Sequence, residues 1–365
     1  MGPSDQHRDL NICWLAVSPA PYNCLLFEYL SQAFGPGFQV WFERATSSAS
    51  PWDRLAGAKS WIMASGSDAL WRAVKSHPDL VVISGWKGTL RYKLILWCVT
   101  HGIPYVVWTD TPTEDKTAIH AIRNAYVRFI SKRARAVMGT GRTAVSALQR
   151  MGIAKEKVVN FPYWTIPRAS PKPDRWRKGG PHRFACVGRL VPYKGFHFAV
   201  EALAGFSAEE NSVLHLFGCG PEEDRLREQA RTLGVSDRVY FEGPLESSKK
   251  AAYLAQECLA LIHPATALEP YGVVIIEAMA HGVPVIGSSM CGAVVDRIVH
   301  GKNGYVLSSL DATEIRSYMK RMISNPILWY DLSAGALATA SEWPLSRAAG
   351  TIESLVRRNP GERPF

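Results

Sequence analysis

Short apolar runs bounded by turn residues alternate with longer stretches of helical periodicity from Asn11 onward. This alternation is typical of βαβ units and predicts a parallel sheet. The strands predicted in the first half of the chain are Ile12 to Val17, Gln39 to Phe42, Leu80 to Ser84, Tyr105 to Trp108 and Ala136 to Gly139. The helices predicted between them include Leu25 to Ala33, Leu70 to Ser76 and Ile119 to Arg133.

A proline-rich segment, Pro162 to Pro181, interrupts this pattern with five prolines, two glycines and a cluster of Lys and Arg. This composition is typical of an exposed linker. We therefore expect one Rossmann-like domain over residues 1–165, a linker over 166–182 and a second such domain over 183–342. The tail, 343–365, is expected to form a helix that returns to the first domain.

The strand pattern restarts after the linker. The predicted strands are Phe184 to Val187, Val213 to Phe217, Val239 to Glu242, Leu259 to His263, Val285 to Gly287 and Tyr305 to Leu307. The fold class is therefore α/β, with two doubly wound domains facing a central cleft. Because open α/β sheets bind ligands beyond the carboxyl ends of their strands, we expect a ligand in that cleft.

The most informative residues are two glutamates eight positions apart, Glu269 and Glu277. Glu269 precedes a helix predicted to begin near Gly272, and Glu277 lies about two turns into it. Phosphates could contact the backbone amides at the helix start while each carboxylate accepts hydrogen bonds from hydroxyls. The simpler interpretation is a favourable charge at a helix start and a solvated helix residue. However, Glu277 stands in an apolar stretch, where an unpaired carboxylate would be costly to bury.

A second candidate site follows the first strand of the second domain, where Gly188 is followed by Arg189 and Lys194. Arg189 could form a bidentate contact with a phosphate, while Lys194 would supply a point charge. Either cation alone would be interpreted as a solvated loop residue. Their position after a strand end favours an anion site.

Together these motifs resemble the donor site of retaining glycosyltransferases of family four, which have the GT-B fold. The E-x(7)-E spacing is followed by an apolar helix and a Gly-Val-Pro-Val turn, as in that family. Gly218-Cys219-Gly220-Pro221 and Phe241-Glu242-Gly243 resemble two further glycine turns of the family. The run from Cys291 to Gly304 resembles its glycine-rich turn, although Ala293, Val295 and Asp296 replace a glycine, a proline and a glutamate.

The resemblance, which covers Arg183 to Val306, implies specific roles. It implies a nucleoside-diphosphate sugar as donor, UDP or GDP, held by the C-terminal domain without a cofactor, and an acceptor held by the N-terminal domain. The residues implied in catalysis are Arg189, Lys194 and Glu269. Those implied in donor binding are Gly188, Gly218, Gly243, Leu245, Tyr271, Gly272, Val273 and Glu277.

The N-terminal domain carries weaker signals. The loop after the first strand holds Ser18, Pro21 and Tyr22, where the family places a loop that closes over the reacting sugar and phosphate. Many relatives carry a histidine after the strand that corresponds to Tyr105 to Trp108, but here Asp110 lies in that loop. Asp110 would orient an acceptor hydroxyl, or it caps a turn or the following helix.

Composition limits the function classes. With 365 residues, 47% of them hydrophobic, the chain can bury two cores. Its seven cysteines are scattered and lack C-x-x-C spacing, so we expect buried thiols and neither disulfides nor zinc. No apolar run reaches the length of a membrane span and the first residues lack a signal-peptide core, so a cytosolic protein is expected.

The formal net charge of +10 is compatible with nucleic acid, an anionic membrane or an anionic substrate. No nucleic-acid-binding motif is present, which disfavours the first of these. A predicted helix from Lys116 to Arg135 mixes basic and apolar residues. This pattern is typical of contact with anionic lipid at the inner face of a membrane, and also of a helix that simply covers the sheet.

We therefore expect a retaining glycosyltransferase acting in glycolipid, lipopolysaccharide or exopolysaccharide assembly, with a glycan or glycolipid acceptor. The absence of a D-x-D run favours a site without metal. The alternatives are a sugar-nucleotide epimerase of the same fold, a basic nucleic-acid-binding protein without catalytic activity, and a silent nucleotide-sugar sensor.

Overall fold

The computed structural model describes residues 10–43, 70–71, 74–75, 77–112, 118–167, 175–176, 180–244 and 247–357. The chain divides into two compact units. Unit 1 comprises Met1–Trp164 and Leu345–Phe365, and unit 2 comprises Thr165–Pro344. Parts of the predicted linker and tail, and of the helix predicted from Leu70, lie outside the described residues.

Unit 1 contains a parallel six-stranded sheet in the order β2-β1-β3-β4-β5-β6 among the described residues. Its strands are β1 Ile12–Ala16, β2 Phe38–Phe42, β3 Leu80–Ser84, β4 Tyr105–Thr109, β5 Ala136–Gly139 and β6 Val158–Asn160. Its helices are α1 Pro21–Phe34, α2 Thr89–Thr100, α3 Ala118–Arg133, α4 Gly141–Arg150 and, near the end of the chain, α12 Leu345–Arg357.

The strands of unit 1 are mostly apolar and buried, as expected for a parallel sheet that is covered on both faces. All five residues of β1 are buried. At its centre Trp14 packs edge-on against Phe27, Phe38 and Trp108, with ring centroids 5.1, 6.3 and 5.5 Å away. Helix α12 packs against α1. Arg135 Nη1 donates to the carbonyl oxygens of Leu355 and Val356 near the end of α12.

Unit 2 repeats this design, with a parallel six-stranded sheet in the order β12-β11-β10-β7-β8-β9. Its strands are β7 His182–Val187, β8 Ser212–Phe217, β9 Val239–Gly243, β10 Cys258–His263, β11 Val285–Ser288 and β12 Gly304–Leu307. Its helices are α5 Phe196–Ala204, α6 Glu223–Thr232, α7 Ser247–Gln256, α8 Val273–Ala280, α9 Gly292–Arg297, α10 Ala312–Ser324 and α11 Pro326–Ser341.

The predicted strands are all present, with ends within one or two residues of their predicted positions. Strand β6 was not predicted, because three residues are too short to show a period. Helix α1 begins at Pro21, four residues before its predicted start. Proline suits the first turn because the N–H groups there have no acceptor within the helix, so the N–H that proline lacks costs no helical hydrogen bond. The prediction that the thiols are buried is wrong for Cys219, which is exposed, and for Cys24, which is partly exposed.

No helix among the described residues is long and apolar enough to cross a membrane. The cleft expected between the two domains stays a prediction.

Candidate donor site

Three glycines predicted to bind the donor lie side by side at the carboxyl ends of neighbouring strands in unit 2. The Gly188 N–H donates to the carbonyl oxygen of Phe217, and the Gly218 N–H donates to that of Gly243. Gly188 and Gly218 have φ values of +148° and +142°, which other residues rarely adopt. A Cβ on Gly218 would lie 1.9 Å from the Gly188 carbonyl oxygen, so the two turns can only pack this closely because Gly218 has no side chain.

The two predicted cations follow Gly188 and are organised around Tyr193. Arg189 is exposed, and its Nη2 donates to the Tyr193 hydroxyl at 3.1 Å. Lys194 is buried, with its Nζ 5.7 Å from the centre of the Tyr193 ring. The Thr266 N–H donates to the Tyr193 carbonyl oxygen at 2.7 Å, which joins this loop to the loop after β10. One cation therefore faces solvent, while the other points into the unit.

Lys194 lies against the Glu269 carboxylate. Its Nζ is 2.6 Å from Glu269 Oε1, and the side chains are only 8% and 13% exposed. The other oxygen, Oε2, is 2.7 Å from Nε2 of His263, the fully buried last residue of β10. Burial by itself would raise the pKa of Glu269, but the hydrogen bonds from His263 and Lys194, together with the positive charge of Lys194, outweigh burial and lower that pKa to about 2. Glu269 is therefore an ionised carboxylate with a fixed orientation.

The Glu269 backbone is held by the loop after β11. Its N–H donates to the Met290 carbonyl oxygen, and its own carbonyl oxygen accepts from the Gly292 N–H. Gly272 caps the start of α8 with a φ of +84°. A Cβ there would lie 2.4 Å from Cys291 Sγ and 3.5 Å from Glu269 Oε1, so glycine is required both for backbone conformation and for space. The helix start and the carboxylate are consequently held close together.

Tyr271, another predicted donor-binding residue, has a buried side chain. Its hydroxyl accepts a hydrogen bond from Arg297 Nε at 3.2 Å. Its carbonyl oxygen accepts from the Ala293 N–H and from Cys291 Sγ. The Tyr271 side chain thus supports the loop from within the unit, and Val273 begins α8 immediately after Gly272.

Glu277 lies two turns into α8 and is partly exposed. Its Oε2 is 2.7 Å from Lys250 Nζ on α7, and the two side chains are 25% and 20% exposed. The cost of placing a carboxylate in the apolar helix is therefore offset by a cation that the sequence did not indicate. Leu245, the remaining predicted donor-binding residue, lies outside the described residues.

His263, Glu269 and Cys291 have ligand atoms within 4.8 Å of one another, a grouping that could hold a metal ion. Two features disfavour a cation there. Lys194 already places a positive charge on Glu269. In addition, burial raises the pKa of Cys291 to about 12, with a smaller contribution from the negative charge of Glu269. The Cys291 thiol therefore stays protonated.

The residues predicted to face the acceptor lie at the carboxyl ends of the strands in unit 1. Ser18 and Pro21 lie in the loop after β1 and at the start of α1. The Tyr22 ring packs edge-on against Tyr163, with centroids 4.6 Å apart. The Tyr163 hydroxyl donates to Oδ1 of Asp110, which is exposed, at 3.1 Å. The structure thus brings two of the predicted residues, Tyr22 and Asp110, to either side of Tyr163.

Sequence reasoning missed three residues of these sites, His263, Lys250 and Tyr163. A signal was present only for His263, a polar residue that ends the buried run from Leu259. Lys250 and Tyr163 could not be assigned because their partners are distant in sequence.

Residues 171–336 match the family described as glycosyl transferases group 1. This match covers most of unit 2, including both glutamates and both cations.

Curated relatives of known name agree with this match. The chain is 29% identical over 179 residues to D-rhamnosyltransferase WbpZ of Pseudomonas aeruginosa, covering 47% of this chain and 45% of that protein. It is 27% identical over 242 residues to a GDP-mannose-dependent α-(1-6)-phosphatidylinositol monomannoside mannosyltransferase of Mycolicibacterium smegmatis, covering 62% and 60%. The chain thus spans 45% of the length of the first of these relatives and 60% of the second.

Solved structures show the same fold over nearly the whole chain. Anabaena HepE in complex with UDP has a TM-score of 0.74 at 20% identity, covering 94% of this chain and 99% of that one. A glycosyltransferase from Rickettsia africae has a TM-score of 0.75 at 15% identity, covering 96% and 100%. The predicted fold class, GT-B with two Rossmann-like units, is confirmed.

Proposed function

We propose that this protein is a retaining glycosyltransferase of family four, which moves a hexose from a nucleoside-diphosphate sugar to an acceptor hydroxyl. The observation that carries the proposal is the contact of Lys194 with Glu269 beside Gly188 and the start of α8. A buried cation, a buried ionised carboxylate and a helix N-terminus together suit a ligand that carries both phosphates and hydroxyls.

In the proposed reaction, Arg189 and Lys194 stabilise the negative charge that develops on the departing diphosphate. Fixed charges at such a position usually supply the largest part of catalysis. Glu269 holds hydroxyls of the donor sugar, and Glu277 holds the ribose of the nucleotide. Both glutamates act as positioning groups, and neither is assigned as a covalent nucleophile.

We propose UDP or GDP as the donor nucleotide and a reaction that needs no metal. The names of similar proteins support the first part, because one relative is GDP-mannose-dependent and one similar structure contains UDP. The second part rests on two cations and a helix start that can do the work of a metal ion.

In unit 1, we propose that Asp110 orients the acceptor hydroxyl. Its exposed carboxylate accepts from the Tyr163 hydroxyl, and Tyr163 is packed against Tyr22. This contact orients the carboxylate, whose oxygens can each accept more than one hydrogen bond, including one from a sugar hydroxyl.

We also propose that unit 1 docks on the inner face of an anionic membrane and that the acceptor is a glycolipid or a related envelope glycan. Helices α2 and α3 lie side by side, since Tyr92 packs edge-on against Tyr126 at 5.4 Å. Apolar side chains on both helices are left in solvent, with Leu96 62%, Ile122 72% and Phe129 52% exposed. We call this area the α2–α3 surface.

Helices α2 and α3 also carry exposed cations. Lys93, Arg128, Lys132 and Arg133 are exposed, and the Arg133 guanidinium lies 4.2 Å from the centre of the Phe129 ring. Apolar side chains flanked by Lys and Arg are the composition of a surface that rests on anionic headgroups. Lys116, the first cation of the predicted basic helix, lies outside the described residues.

The proposal is tested by product analysis with UDP- and GDP-sugars and lipid-linked or free glycan acceptors. Thermal-shift screening first selects the donor, since a ligand that binds only the folded protein raises its stability. We expect sugar transfer with retained anomeric configuration by NMR, at an undiminished rate in excess EDTA. Incubation with donor alone is the control: an altered donor sugar without transfer would indicate the epimerase. Loss of activity in EDTA that Mg²⁺ or Mn²⁺ restores would contradict the metal-independent reaction.

A further inference from the structure

His263 lies behind Glu269 with no access to solvent. Its Nε2 is 2.7 Å from Glu269 Oε2, on the opposite side of the carboxylate from Lys194. Among the described residues, its second ring nitrogen, Nδ1, is buried and has no hydrogen-bond partner. The imidazole thus has one polar contact, with a carboxylate that is ionised.

These contacts assign the tautomer. An ionised carboxylate only accepts hydrogen bonds, so Nε2 must carry the proton. A second proton on Nδ1 would bury an N–H group without an acceptor, which costs more than burying the bare lone pair of a neutral ring. His263 is therefore a neutral Nε2–H donor to Glu269, and Lys194 is the cation that balances the carboxylate.

Lys194 is placed to contact a second partner. Its Cε and Nζ lie 3.4 Å from the point where a Cβ of Gly188 would be, so its amine borders the Gly188 turn as well as Glu269. If Lys194 is to bind a departing diphosphate at that turn, it must weaken its contact with Glu269. If Lys194 were the only group holding the Glu269 carboxylate, that carboxylate would lose its orientation as Lys194 turns towards the diphosphate.

We propose that His263 is a positioning residue that holds Glu269 in place while Lys194 moves from the carboxylate to the diphosphate. The predicted effect on kcat rests on the proposed glycosyl transfer, whereas the assigned tautomer of His263 does not. This positioning role explains why a polar side chain ends the otherwise apolar strand β10 and lies in hydrogen-bond contact with Glu269.

The kinetic test uses His263→Met, which removes the donor, and His263→Gln, whose amide can replace the Nε2–H group. Hydrogen bonds to charged groups are worth about 1.5–3 kcal/mol. We therefore expect His263→Met to lower kcat about tenfold to a hundredfold, with a much smaller change in the Kd for UDP or GDP. His263→Gln should recover most of kcat. His182→Gln, at a buried histidine at the opposite end of the sheet, is the matched control and should keep the wild-type kcat.

Long-range ¹H–¹⁵N correlation NMR on the ¹⁵N-labelled full chain tests the tautomer without requiring turnover. The His263 signals are those that disappear in His263→Gln, and we expect a protonated Nε2 and an unprotonated Nδ1. A protonated Nδ1, or wild-type kcat in a folded His263→Met, would overturn the inference. An Nε2–H tautomer in a protein that transfers no sugar would instead leave this assignment standing and refute the proposed function.

Discussion

Lys194 Nζ lies 2.6 Å from Glu269 Oε1, although the two residues are separated by 75 positions and belong to different loops. Both side chains are largely buried, so each would be costly without the other. The contact joins the loop after β7 to the loop after β10, at the carboxyl end of the sheet. The contact therefore lies at the centre of the proposed donor site. Loss of either charge should affect both catalysis and stability.

Replacing Lys194 or Arg189 by Ala should reduce turnover, and Lys194→Ala should also lower stability because it leaves the Glu269 carboxylate buried without its cation. Each cation is proposed to interact most strongly as negative charge develops on the diphosphate, so its loss should lower kcat about a hundredfold. Steady-state kinetics on folded variants provides the measurement. Arg225→Ala removes an exposed guanidinium of the same unit, on α6, and should leave kcat unchanged. Unchanged kcat and KM in both site variants would remove these cations from the donor site.

Glu269→Gln should change how stability depends on pH. Because the folded pKa of about 2 lies below the ordinary value of 4.5, ionised Glu269 stabilises the protein above pH 4.5. That stabilisation is lost as the pH falls towards 2. Denaturant unfolding should therefore show a wild-type advantage over Glu269→Gln that shrinks by about 2 kcal/mol between pH 7 and pH 3. If the difference in the free energy of unfolding between wild type and Glu269→Gln did not change with pH, the pKa of Glu269 would not be lowered in the folded protein.

The fold could be predicted from sequence because most of the strands are buried and therefore form apolar runs that are easy to recognise. Strand β10 is the clearest example, with all six residues buried. Strand β6, with three residues, carries too little pattern to be found. The position of the predicted α8 start was correct to one residue, because Gly272 marks the helix cap.

The site could be predicted only in part. The spacing of Glu269 and Glu277 identified both carboxylates, but their partners His263, Lys194 and Lys250 come from three other positions in the fold. Which cation contacts which carboxylate depends on packing between loops, and sequence spacing does not encode it. Tyr271 illustrates the same limit, since its side chain is buried against Arg297.

Glu277→Gln should weaken donor binding. If Glu277 accepts hydrogen bonds from the ribose, loss of its charge should raise the donor KM about tenfold while kcat changes less. Initial rates at varied donor concentration measure both constants. Glu201→Gln, at an exposed position of α5, serves as the control. An unchanged donor KM would show that Glu277 does not bind the donor and that its role is the ion pair with Lys250.

The α2–α3 surface should bind anionic vesicles in a salt-dependent manner. Each Lys or Arg near such a membrane contributes about 1 kcal/mol, so replacing Arg128, Lys132 and Arg133 with Ser should release the protein at low salt. Co-sedimentation with vesicles rich in phosphatidylserine measures this. The control replaces Arg225, Arg227 and Arg231 of α6, which carry the same charge in unit 2. Wild-type protein that stays in the supernatant at low ionic strength would contradict membrane docking and favour soluble acceptors.

The loops around Lys194 and Glu269 are proposed to bind a nucleoside diphosphate. Isothermal titration of the full chain with UDP and with GDP tests this directly, with Lys194→Met as the matched variant. We expect saturable binding of at least one nucleotide to the wild-type protein, persisting in EDTA, and a Kd raised about tenfold or more in Lys194→Met because a charge-assisted contact to phosphate is lost. No binding of either nucleotide to folded wild-type protein, or equal affinity in Lys194→Met, would show that these loops are not the donor site.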